Sequence, residues 1–135
     1  MQFKELGGDW NFHIAAYAMA GATTSREDVA LRVPYNMTIT GVDWVPQAAV
    51  TANGTNFSTL SLRNRGAAAA GAALPATRSY AATNSVAFVP EAMTLSGTAA
   101  DLLLTAGDIL TVQMIFTAAG LVIPAGTLRL TARIR

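Results

Sequence analysis

The side chains able to do chemistry are few, and their spacing limits what they can do. The chain of 135 residues holds one histidine, His13, and no cysteine. A Ser-His-Asp or Cys-His triad needs a histidine held by a carboxylate and facing a nucleophile. A zinc centre needs three or four nitrogen and sulfur ligands. With neither set available, His13, inside an apolar run, is expected to be a packed or surface histidine. The carboxylates are Glu5, Asp9, Glu27, Asp28, Asp43, Glu91, Asp101 and Asp108. A glycosidase needs two of these facing one another, and a calcium site needs several converging oxygens. Glu27 and Asp28 are adjacent, but neighbouring strand residues point to opposite faces. Asp101 and Asp108 could meet across a loop, yet each also suits a turn, where a carboxylate accepts backbone hydrogen bonds. There is no phosphate-binding glycine loop, GxGxxG or HExxH pattern. No catalytic residue, cofactor or metal ligand is therefore expected, and the chain is not expected to be an enzyme.

Trp10, Trp44, Tyr17, Tyr35 and Tyr80 could form a sugar-binding platform, or serve as core and interface anchors. Asn36-Met37-Thr38, Asn53-Gly54-Thr55 and Asn56-Phe57-Ser58 match the N-glycosylation pattern. The start, Met1-Gln2-Phe3-Lys4-Glu5, lacks the basic and apolar regions of a signal peptide, so the three are read as Asn/Thr turns.

The elements that must position these residues read as strands. Val29, Leu31 and Val33 alternate with Ala30 and Arg32. Met37 and Ile39 do the same, until Gly41 shifts the phase to Val42 and Trp44. A glycine at a phase change marks a β-bulge. Asn53-Gly54 signals a turn, since both residues tolerate positive φ. Leu60 and Leu62 follow, then a low-complexity Ala/Gly stretch over 66–73, read as a surface loop. Pro75 to Tyr80 reads as an edge strand. Val86, Phe88, Met93 and Leu95 mark an extended stretch kinked at Pro90. Leu110, Val112, Met114 and Phe116 alternate over one strand, and Leu128, Leu130, Ala132 and Ile134 over the last, opposite Arg129, Arg133 and Arg135. Seven or eight short strands with turn chemistry between them predict an all-β protein: a β-sandwich over 12–135, jelly-roll-like, preceded by an extended N-terminal arm over 1–11.

The formal net charge is +1 and charged residues make up 13% of the chain, about half the usual ~25%. That balance gives no basic footprint for nucleic acid. No apolar stretch approaches the ~18 residues that suggest a membrane span. A chain with so few charges is expected to hide surface against protein neighbours.

The chain also echoes itself. Val33-Pro34-Tyr35-Asn36-Met37-Thr38-Ile39-Thr40-Gly41 parallels Val89-Pro90-Glu91-Ala92-Met93-Thr94-Leu95-Ser96-Gly97, and Thr51-Ala52-Asn53-Gly54 parallels Thr105-Ala106-Gly107-Asp108. Leu74-Pro75-Ala76-Thr77 then parallels Ile123-Pro124-Ala125-Gly126-Thr127. This pattern predicts two similar units packed face to face, as two Greek keys would be.

The stretch from Val33 to Ile134 resembles small virion proteins of tailed phages, of the head decoration and head-fibre type. The residues that carry the resemblance are Val33 to Gly41, Val45-Pro46-Gln47-Ala48-Ala49, Thr55-Asn56-Phe57, Ala100-Asp101-Leu102, Ala106-Gly107-Asp108 and Leu121-Val122-Ile123-Pro124-Ala125-Gly126. It implies a capsid decoration, or cement, protein on the virion exterior, bound to the major capsid protein. It also implies a homo-oligomer, a trimer in preference to a dimer, and no active site. On this reading Phe3, Leu6 and Trp10 on the arm are the expected partner contacts. The alternatives are a receptor- or carbohydrate-binding module of a tail or fibre, and a hydrolase with an unrecognised site.

Overall fold

The computed structural model describes residues 8–135. The strands are β1 (Trp10–Ala16), β2 (Arg26–Arg32), β3 (Met37–Pro46), β4 (Phe57–Asn64), β5 (Ala73–Ser79), β6 (Glu91–Ala92), β7 (Thr94–Leu95), β8 (Leu103–Leu104), β9 (Ile109–Thr117) and β10 (Gly126–Ile134), with a 3-10 turn at Ala99–Leu102. Every ladder among them is antiparallel. One sheet runs β1-β10-β3-β6, with β8 pairing the start of β3; the other runs β2-β9-β4-β5-β7. Consecutive strands swap sheets except β4 and β5, which pair as a hairpin. First and last strands are neighbours, and the second pairs with the ninth. That is the wrapped order of a jelly roll, so the predicted all-β sandwich is observed.

The core forms where the inward faces of the two sheets meet. Met37, Ile39, Val42, Trp44, Leu128, Leu130 and Ala132 come from one sheet, and Leu60, Leu62, Leu110, Val112 and Met114 from the other. Burying each large side chain contributes about 1.5–3 kcal/mol. β9 and β10 alternate as read, with Arg129 and Arg133 outward between buried leucines and alanine. The phase change at Gly41 is a bulge: Thr131 lies opposite Gly41 and Ala132 opposite Ile39, leaving Thr40 unpaired and exposed. The extra residue lets Ile39 and Val42 both face the core.

Four local expectations are corrected. Val29 was expected inward, but the β2–β9 register slips between Val29 and Leu31, and Val29 is 76% exposed; one inserted residue flips the face. Val86 and Phe88 were expected in an extended stretch, but they lie on an exposed turn closed by the Val89 N–H donating to the Val86 carbonyl at 3.2 Å. Asn53 shapes its turn by its side chain: Oδ1 accepts the N–H groups of Thr55 at 3.0 Å and Asn56 at 2.9 Å, while neither Asn53 nor Gly54 has positive φ. The echoed units do not pack face to face. β3 pairs β6 and β4 pairs β9 within sheets, because wrapping a jelly roll lays the two halves side by side.

Candidate functional site

Among the described residues the carboxylates are held in structural bonds. Asp9 accepts from Arg133, Glu27 from Arg65 and Thr111, Asp28 from Arg26, and Asp43 from Arg129. Glu91 accepts from Arg78, Asp101 from Ser96, and Asp108 from Asn64 and the Thr105 N–H. Asp101 and Asp108 therefore serve separate turns. The Arg65 guanidinium, bonded to both Glu27 oxygens at 2.8 and 2.5 Å, holds that carboxyl below the usual carboxylate range against the opposing effect of burial. His13 is exposed on the outer face of its sheet, opposite Arg129. Among the described residues no three His, Cys, Asp or Glu side chains gather as a metal site would require. No helix among them is long and apolar enough to cross a membrane.

The feature that stands out is one end of the sandwich. The segments 17–25, 47–56, 80–90 and 118–125 all connect strands there and are laced together by backbone hydrogen bonds. Met19 N–H donates to Ile123 O at 3.0 Å, Gln47 N–H to Ala125 O at 2.8 Å and Phe88 N–H to Pro46 O at 2.8 Å. Val50 and Ser85 exchange a bond in each direction. Asn56 Oδ1 accepts the Ala119 N–H and Asn84 Oδ1 the Ala52 N–H. Ser58 Oγ donates to the Leu121 carbonyl and accepts its N–H.

The segment 80–90 hangs on a buried polar post. The Trp44 indole donates to Tyr80 OH at 3.0 Å, and Tyr80 OH and Ser85 Oγ are 3.0 Å apart. Ser85 Oγ also contacts Glu91 Oε1. A hydroxyl has one proton to give, so the arrangement that satisfies all four groups runs from Trp44 to Tyr80 to Ser85 to Glu91. Arg78 donates to Glu91 at 3.1 Å and to the Thr83 carbonyl at 3.0 Å, with its guanidinium 4.3 Å from the Tyr80 ring centre. Rigid support of this kind holds a loop in one shape.

On that support the end presents apolar side chains to solvent: Tyr17, Val86, Phe88, Val89 and Val122, with Phe88 73% exposed. Phe88 also has φ +62, a region costly for a side chain with a Cβ. An exposed aromatic in a strained conformation is the pattern found at functional surfaces. Tyr17 and Phe88 flank a groove of about 400 Å³ lined by Ala16, Val45, Pro46, Gln47, Ala125, Gly126 and Thr127, with no charged side chain. A smaller hollow of about 230 Å³ next to it shares Val45 and Thr127 and adds His13, Asp43, Pro90 and Arg129. Gly126 is needed in the floor, since a Cβ there would lie 2.2 Å from the Val45 carbonyl oxygen and 2.5 Å from the Trp44 ring.

Of the expected contacts, Phe3 and Leu6 lie outside the described residues. Trp10 is not on an arm. It opens β1, lies opposite Ala132, packs half-buried against the core and meets Tyr35 edge-on at 5.9 Å. Trp44 and Tyr80 are core residues, so the five aromatics do not form one platform. Phe88 was read as a strand residue, and its only sequence signal is the neighbouring Pro90. Asn36, Asn53 and Asn56 are turn residues as read, each accepting backbone N–H bonds.

No family model matches the chain, and no curated protein matches it. Among solved structures it is similar to a chain described as the structure of infectious bursal disease virus Gx strain, at 12% identity and a TM-score of 0.37. The match covers 95% of this chain and 32% of that one, so the chain spans about a third of its length.

Proposed function

We propose that the chain is a non-enzymatic structural protein of a phage virion, a decoration protein that binds the outer surface of the major capsid protein, and that the loop end is its attaching surface. The observation that carries this is Phe88: an exposed aromatic on a positive-φ turn, fixed by the Tyr80–Ser85–Glu91 post and grouped with Tyr17, Val86, Val89 and Val122. Binding interfaces take most of their energy from a few aromatic anchors in rigid settings. The low charge and the likeness of the Val33–Ile134 stretch to decoration and head-fibre proteins support the same reading. In a decoration protein each copy bridging capsid subunits adds binding energy that resists outward pressure on the shell.

The test is co-sedimentation of the full chain with capsid shells of the virus that encodes it, comparing wild type with Phe88→Gly. Glycine adopts positive φ without strain, so this variant is expected to be as stable as wild type or up to about 1 kcal/mol more stable. Its expected shell affinity is at least about tenfold weaker, the loss of an anchor. Undiminished binding by Phe88→Gly would remove the loop end from the proposal, and no binding by wild type would remove decoration itself. The groove between Tyr17 and Phe88, with Gln47 and Thr127 in its wall, favours a second reading, a glycan-binding tip module. It predicts saccharide-dependent shifts in the Gln47 and Thr127 amide NMR signals and no shell binding.

A further inference from the structure

We propose that β1 is a self-association edge, along which two copies of the chain pair antiparallel about a twofold axis at His13 and join their sheets into one. The inference starts from how the sheet edges are guarded. A free edge strand offers a row of backbone donors and acceptors to any other strand, and proteins blunt such edges with charges, prolines, bulges or very short strands. β2, the edge of the other sheet on the same side, carries Arg26, Glu27, Asp28 and Arg32 and a bulge at Ala30. At the opposite side the edges are the two-residue strands β6, β7 and β8. β1 has none of these devices. It is seven residues long, Trp-Asn-Phe-His-Ile-Ala-Ala, with no formal charge and no proline. Its register against β10 is unbroken from Trp10 opposite Ala132 to Ala16 opposite Gly126. Among the described residues, no strand pairs its other side.

The occupant is a second copy because the strand suits itself. A twofold interface uses one patch twice, and an antiparallel pair centred on His13 sets Phe12 against the partner's Ile14 and Asn11 against the partner's Ala15. Phe12 is half-buried in one copy, so pairing covers the rest of an aromatic. No fixed charge of β1 meets its like. The inference goes beyond capsid attachment and is tested apart from it, by crosslinking and sedimentation of the chain without shells, although β1 borders the loop end through His13 and Ala16. It makes the basic unit a dimer, against the trimer that the resemblance implies.

The test uses the full chain, which has no cysteine of its own. Residues facing across an antiparallel pair have Cβ atoms about 4.5–5.5 Å apart, near disulfide reach. Under mild oxidation His13→Cys is expected to form a covalent dimer. Asn11→Cys alone and Ala15→Cys alone are expected to stay uncrosslinked, and their mixture to form a heterodimer. His13→Glu lies opposite Arg129 in its own copy, but sets two carboxylates together on the axis. It is expected to weaken the sedimentation dimer at least about tenfold while keeping the wild-type circular dichroism spectrum. A wild-type chain that sediments as a monomer or trimer at every concentration overturns the proposal, whichever segment then covers the edge. So does a dimer that His13→Glu leaves intact, or one in which His13→Cys fails to crosslink.

Discussion

Glu27 shows how the few charges of this chain are used. Its carboxylate ties Arg65, just past β4, to Thr111 of β9 and to its own strand β2. The bond from Arg65 first, then that from Thr111, hold its pKa below the ordinary value in the folded state. The unfolded chain therefore binds more protons than the folded one between the two values, and stability falls as pH falls through that window. The stabilisation is fully present above the unfolded pKa and is lost as pH drops through the folded one. Urea midpoints measured downward from about pH 6 through the carboxylate range near ~4 are expected to fall faster for wild type than for Glu27→Gln. The gap between the two should close at the acid end. Parallel curves would mean that Glu27 contributes nothing through its charge. At the opposite end Arg78 pairs with Glu91 and donates to the Thr83 carbonyl, so ion pairs fasten loops at both ends of the sandwich.

At the scale of elements, β9 is the clearest case of pattern becoming structure. Leu110, Val112 and Met114 face inward, and Met114 is 1% exposed between β2 and β4. Met114→Asp would bury an unpaired carboxylate, a cost of several kcal/mol or a comparable penalty to keep it protonated. Domains of this size have about 5–15 kcal/mol of stability in total. The variant is expected to lack a cooperative unfolding transition, whereas Met114→Leu, conserving volume, should cost under about 1.5 kcal/mol. Native-like amide dispersion in Met114→Asp would show that β9 can turn its face. β9 and β10 were legible because alternation over a whole strand has one solution, and the Thr40 bulge was legible because Gly41 interrupts a pattern strong on both sides. The Ala30 bulge was not, since alanine marks neither face. Val86 and Phe88 misled for a related reason: apolar residues two apart read as a strand whether or not anything covers them. The candidate site was therefore the least readable part. Its post joins Trp44, Arg78, Tyr80, Ser85 and Glu91 through side chains on three stretches of chain, and only folding brings them together.

For the whole molecule, the jelly-roll order makes the last strand the key to the first sheet. β10 lies between β1 and β3 and pairs with both over 126–132, so β1 has no partner in its sheet until the chain reaches its last strand. Folds dominated by pairing between distant segments form slowly, in milliseconds to seconds, because loop closure must precede the contacts that stabilise it. Refolding of the full chain from denaturant is expected in that range. A chain ending at Ala125 keeps every strand of β2-β9-β4-β5-β7 but loses Leu128, Leu130 and Ala132, each fully buried. It also takes out the middle strand of the sheet that covers the other, leaving β1 without a partner and β3 with only the two-residue strands β6 and β8 beside it. The truncated chain is expected to show no cooperative melting by far-ultraviolet circular dichroism and to expose apolar surface to a hydrophobic dye. A sharp transition in that fragment would mean that one sheet folds alone, and that β10 is added to a finished scaffold rather than completing a single cooperative unit.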